Sequence, residues 1–149
     1  MFFVEGDVVT AVFTDDELML LQQIPRLLDD TDTAVGDPGY EVLHRAVYRD
    51  DPGASRELDD LVASDRWVMR TSDRKIVERF GEGVTTMTRQ EARGFLRSLN
   101  EARLVVAARA GVFDSGPGWE EMVPTNQSLA AVAWLGYVQA ELIRVLTAE

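Results

Sequence analysis

Apolar residues recur at helical spacing along most of this chain, and the best-defined run is 88–111. Thr88, followed three residues later by Glu91, has the form of a capping box, in which each side chain satisfies the other residue's backbone amide. Gly111 is the residue type that tolerates the left-handed backbone of a helix stop. At about 100° per residue, Ala92, Phe95, Leu96, Leu99, Val106 and Ala110 fall on one stripe. Arg89, Gln90, Arg93, Arg97 and Glu101 lie beside or opposite it, and Asn100 sits at its edge. Arg103 projects near the middle of the stripe. Beyond it the pattern is apolar all round, so the second half of this helix is expected to be covered on several sides or to form an interface.

The preceding chain reads as a small β-structure and three helices. Residues 2–13 alternate around Gly6 and predict a β-hairpin, which needs helices to lean on because a lone hairpin is marginal in water. Thr14 and Glu17 repeat the capping-box pattern, with Phe13 and Leu18 placed as a hydrophobic staple. Pro25 then kinks or restarts that first helix. Residues 29–39 read as an acidic loop. Asp30, Asp32 and Glu41 occupy three positions of a calcium-loop pattern, but Ala34 and Val35 stand where a ligand and an obligatory glycine belong, so calcium is rejected. Residues 40–48 predict a short helix containing His44. Asp51-Pro52 then opens a helix expected to reach Phe80, about 43 Å at 1.5 Å per residue. Its apolar positions are Leu58, Leu61, Val62, Met69, Ile76, Val77 and Phe80.

Gly81 and Gly83 end that helix, and residues 84–87 form a short extended link to the capped helix. Residues 113–125, with Trp119, read as a loop. A last helix follows over 126–146, broken only by Gln139, Glu141 and Arg144. The expected fold is mainly α: a helical bundle of about five helices with an N-terminal β-hairpin, forming a single domain over 1–149 (hairpin 1–13, bundle 14–149). The surplus apolar surface of the last two helices predicts a homo-oligomer.

Composition narrows the functional classes. Apolar residues make up 46% and charged residues 28% of the chain, a globular balance and not a disordered one. There is no cysteine, which excludes thiolate chemistry and cysteine metal cages. With one histidine, the two Glu-x-x-His motifs of a di-iron bundle cannot both be present, and neither a metal nor any other cofactor is expected. The start carries Glu5 and Asp7 and no basic region, unlike a signal peptide. The longest apolar run, 129–138, is too short to span a bilayer. A cytoplasmic protein without membrane contact is therefore expected.

The net charge of −11 argues against nucleic acid as partner. That charge is uneven: residues 1–65 carry 4 basic and 16 acidic side chains, whereas residues 66–109 carry 10 and 5. Residues 110–149 carry 1 basic and 5 acidic side chains, and a basic middle between acidic ends predicts that the middle helices pack against acidic elements, the alternative being an anion or RNA patch.

Candidate chemistry is sparse, with neither a phosphate loop nor a nucleophile elbow. The candidate binding residues are Asn100, Arg103, Trp134 and Glu141. A buried arginine requires a carboxylate, so Arg103 is expected to be held by Glu141, or else by Asp50 or Asp51. It would tie helices together, or alternatively anchor a small anion.

Three segments carry a family resemblance: residues 48–52 (Tyr-Arg-Asp-Asp-Pro), residues 95–104 with the Leu-Asn-acid-x-Arg-Leu core, and residues 134–139 (Trp-Leu-Gly-Tyr-Val-Gln). In order and spacing the chain resembles an uncharacterised family of actinobacterial proteins, catalogued only as a domain of unknown function. The family usually has an aromatic and an acid before the tryptophan, where this chain has Val132-Ala133, and an acid after the glutamine, where it has Ala140. Members are often encoded beside the adaptor of the Clp protease. The sparse chemistry leads to a non-enzymatic interaction or regulatory module, to which the resemblance adds a protein partner in regulated proteolysis; the alternative is a small-anion-binding protein or enzyme with Arg103 as the anion anchor.

Overall fold

The structure is a computed structural model, described here over residues 1–48, 56–81, 85–112 and 126–148. Strands β1 (Phe2–Glu5) and β2 (Val8–Ala11) pair antiparallel, with Phe2 opposite Ala11 and Glu5 opposite Val8. Gly6 turns the chain at φ 62°, a conformation that side chains with a Cβ rarely adopt. The expected hairpin is thus present, and the structure adds to it. Part of the segment read as an extended link is strand β3 (Thr86–Thr88), antiparallel to β2. The third strand covers one edge of a pair that would be marginal alone. Phe2, Val9, Ala11 and Met87 form the buried face of the sheet.

Helices α1 (Asp15–Gln22) and α2 (Ile24–Thr31) are separated at Gln23. Pro25 lies in the first turn of α2, where its missing amide is tolerated, so the predicted interruption is a restart. Both halves of the Thr14–Glu17 capping box are made. Because α2 runs on to Thr31, Asp29 and Asp30 stand on a helix and not in the acidic loop the composition implied. Helix α3 (Pro38–Tyr48) starts two residues earlier than expected, with Asp37 Oδ2 accepting from the Gly39 amide at 2.8 Å.

Helix α4 (Arg56–Gly81) passes through residues 71–73 without a break. Its expected start at Asp51-Pro52 lies outside the described residues, as do Gly83 and the whole predicted loop 113–125 with Trp119. Helix α5 (Arg89–Arg109) has both hydrogen bonds of the Thr88–Glu91 box. Helix α6 (Gln127–Thr147) starts at Asn126, whose Oδ1 accepts from the Leu129 amide at 3.1 Å. The architecture is mainly α, with an N-terminal antiparallel strand pair as expected. Among the described residues, counting α1 and α2 as one bent helix gives five.

Helix α5 is the axis of the packing: α2, α3, α4, α6 and the sheet all rest on it. That explains why Ala92, Phe95, Leu99, Ala102 and Val105 are wholly buried although they do not share one narrow stripe. Phe95 sits in an aromatic cluster, its ring 5.0 Å from Phe80 and 6.4 Å from Phe2. Phe13 joins it at 5.8 Å from Phe80, bringing α1, α4 and the sheet onto α5. By length and composition α6 could cross a membrane. In the fold it is a core helix, burying Leu129, Val132, Leu135, Val138, Leu142 and Val145.

Candidate functional site

Helices α4 and α6 both lie along α5, and a cleft of about 520 Å³ opens between them. Its apolar lining comes from Met69 on α4, Leu96 and Leu104 on α5, and Ile143 on α6. Met69 and Ile143 are about half exposed, so the opposing walls present apolar side chains outward. The polar lining is Arg66, Arg70, Asp73, Arg97, Asn100, Glu101 and Gln139.

These polar groups are tied to one another. Arg70 Nε donates to Glu101 Oε1 at 2.7 Å, and its Nη2 donates to Asp32 Oδ1 at 2.8 Å. One turn along α4, Arg74 Nη1 lies 2.7 Å from Asp32 Oδ2 and donates to Asp29 Oδ1 at 2.7 Å. Arg97 holds Asp73 with two parallel bonds of 2.9 Å. The half-exposed Trp67 ring lies beneath both guanidiniums, 5.9 Å from Arg70 and 5.8 Å from Arg74, close enough for cation–π attraction. The result is a charged seam joining α4 to α2 and α5.

Gly94 lets this seam close. A Cβ there would stand 2.6 Å from Asp73 Oδ1 and 2.9 Å from Ile76 Cδ1. A side chain there would push the ends of Asp73 and Ile76 aside, and with Asp73 the pair it makes with Arg97.

Burial disfavours the charge on Arg70, but Glu101 and Asp32 outweigh it and raise its pKa. Burial pushes the Glu101 carboxyl above the ordinary glutamate value, and Arg70 and Arg74 draw it only part of the way back. Glu101 and Asp73 are the carboxylates of the cleft, and each is clamped to an arginine. Neither is left facing the cleft as a base. Among the described residues no group of three or more His, Asp or Glu side chains is placed to hold a metal ion.

The residues singled out from the sequence do not converge on one site. Asn100 lines the cleft, and its Oδ1 accepts from Gln139 Nε2 at 3.3 Å. Arg103 stands next to this pair without lining the cleft, half buried, its Nη1 donating to Gln139 Oε1 at 3.1 Å. Among the described residues no carboxylate is paired with it. Glu141 accepts from Arg144 Nη2 at 3.1 Å, because two residues beyond Gln139 it points to another side of α6. Asp50 and Asp51, the next candidates, lie outside the described residues. Trp134 packs on the other side of α6, 6.5 Å from Phe13, with its indole nitrogen donating to Glu17 Oε2 at 3.0 Å.

Sequence reasoning missed Arg70, Arg74 and Glu101. Glu101 was placed with the polar positions, yet it is 9% exposed, and Arg70 and Arg74 are 8% and 4% exposed. The usable signal was the basic middle facing an acidic start. The structure bears that out, since Arg70, Arg74 and Arg109 reach Asp32, Asp29 and Asp37.

The family model described as Domain of unknown function (DUF2017) matches residues 3–146, and the chain belongs to that family. No curated protein and no solved structure matches it.

Proposed function

We propose that this protein is a non-enzymatic binding module that receives another protein in the cleft between α4 and α6. The observation that carries this reading is the pairing within the cleft. Each acidic group is bound to an arginine, while Met69, Leu96, Leu104 and Ile143 offer apolar contact. Contiguous exposed apolar surface of this kind marks interaction sites. Asn100 and Gln139 supply amide groups able to orient what binds. The cytoplasmic setting is supported by the sequence alone. The tie to regulated proteolysis is supported by the resemblance to actinobacterial relatives encoded beside the Clp adaptor.

A second reading has its own support. A volume of about 520 Å³ falls within the range of small-ligand pockets, roughly 300–1,000 Å³. In that case Arg97, whose side chain is 48% exposed at the cleft, would be the anion anchor in place of Arg103.

A photo-crosslinking residue at position 143, in extracts of the source cells, tests the module. The expected result is a discrete protein adduct that disappears in Leu104→Glu, with helicity unchanged. Absence of a protein adduct, or a small molecule retained by the purified protein and released by Leu104→Glu, would overturn it.

A further inference from the structure

The charges around the cleft are not exposed equally. In the Arg97–Asp73 pair the arginine side chain is 48% exposed and the aspartate 6%, so solvent meets the cation and not its partner. The Arg70–Glu101 pair is buried on both sides, at 9% and 12%, and contributes little outward field. Arg93, one turn before Arg97 on the same face of α5, is exposed. Arg103 lies on the α6 side of α5, outside the cleft lining, where a neutral amide holds it. An apolar floor between outward arginines therefore stands on a chain whose net charge is −11. The protein's own charge would repel an acidic partner at a distance, so the local reversal gives this face its selectivity.

Dimensions point the same way. Leu96 and Leu104 lie two turns apart on α5, about 12 Å at 1.5 Å per residue. An amphipathic helix anchored at i, i+3 or i+4, and i+7 spans about the same length. Met69 and Ile143 stand on opposite walls at a height where flanking apolar side chains would meet them.

We infer that the cleft binds an amphipathic helical segment of a partner protein, with leucine-like anchors against Leu96, Leu104, Met69 and Ile143 and acidic residues toward Arg93 and Arg97. This rests on the binding-module reading and specifies its partner. The arginine–acid contacts set orientation and rate of encounter, and the apolar anchors supply most of the affinity.

Fluorescence anisotropy with a labelled leucine–glutamate amphipathic peptide of about four turns tests the inference on the full chain, beside a leucine–lysine peptide of identical spacing. The glutamate peptide should bind, and the lysine peptide should bind at least about ten-fold more weakly, a difference of roughly 1.4 kcal/mol. Added salt should narrow the gap. Ile143→Asp and Met69→Asp replace exposed side chains and should abolish binding while leaving helicity intact. Arg93→Glu should weaken the glutamate peptide and strengthen the lysine one.

Equal binding of the two peptides, or binding indifferent to both apolar substitutions, overturns the inference. So does failure of the glutamate peptide to bind. If crosslinking from position 143 still captures a protein in that event, the module stands and only its acidic helical partner falls. A doubled mass in light scattering, lost in Ile143→Asp, would instead seat a second copy in the cleft and overturn the proposal.

Discussion

Helix α5 makes two seams of opposite character. Toward α4 and α2 it meets arginines and carboxylates, with Arg70 and Arg74 buried between Asp32 and Glu101. Toward α6 it meets Leu135, Val138 and Leu142, and the polar exception is the row Asn100, Gln139, Arg103. The apolar seam gains stability with each side chain removed from water. The charged seam gains little net stability from forming, because desolvation offsets most of the attraction, yet losing one partner leaves a buried charge uncompensated. The first seam holds the fold together, while the second dictates which elements are allowed to meet.

The sharpest way to break the contrast is Arg70→Ala. It strands Glu101, leaves Asp32 with Arg74 alone, and should cost about 3–5 kcal/mol, read from the urea midpoint. Replacing both sides, as Arg70→Met with Glu101→Leu, should recover much of that loss, because an apolar pair needs no counter-charge. If the double variant is as unstable as the single one, the seam contributes more than mutual neutralisation.

In the apolar seam, Leu142→Ala should cost about 2–5 kcal/mol, with the denaturant slope unchanged. No second substitution across the seam should restore it except one that refills the volume.

Arg103→Ala tests the polar row and should cost about 1 kcal/mol, the scale of one hydrogen bond. The 3–5 kcal/mol expected of a buried ion pair does not apply, since Arg103 is half buried and its partner is an amide. A loss as large as that of Arg70→Ala in the same urea titration would erase the distinction between the two arginines.

The smallest effect is in pH dependence. The Thr88 amide, helped by Arg79 against some burial, holds Glu91 below the ordinary value of 4.5. Its contribution is present above that value and is lost as pH falls through the lowered one. Glu101 runs the other way. Burial raises its pKa above 4.5 in the folded state, so between the two values the native form binds a proton that the unfolded chain does not. Over that interval Glu101 alone makes stability rise as pH falls. Urea midpoints measured across mildly acidic pH should therefore change slope in Glu101→Gln above 4.5 and in Glu91→Gln below it. Identical profiles for both variants would show that the two carboxyls do not differ as described.

The sequence by itself determined the parts whose causes are local. Two capping boxes, the turn at Gly6 and the restart at Pro25 rest on hydrogen bonds and dihedral limits within about four residues. The apolar period that marked α5 and α6 as core helices follows from the need to bury one face, whichever element covers it. Tertiary structure decided the rest. Arg70 finds Glu101 and Asp32 at separations of 31 and 38 residues, and no helical wheel specifies such partners. A wheel sets Glu101 among the polar positions, and only α2 and α4 closing over α5 turn it inward. The third strand likewise depends on where α4 delivers the chain. Arg103 shows the reverse case: the wheel put it inside, but its partner is whatever α6 presents at that height, and α6 presents Gln139. A charged side chain fits water or a buried counter-charge equally well in sequence, and only the packing of distant elements selects between them.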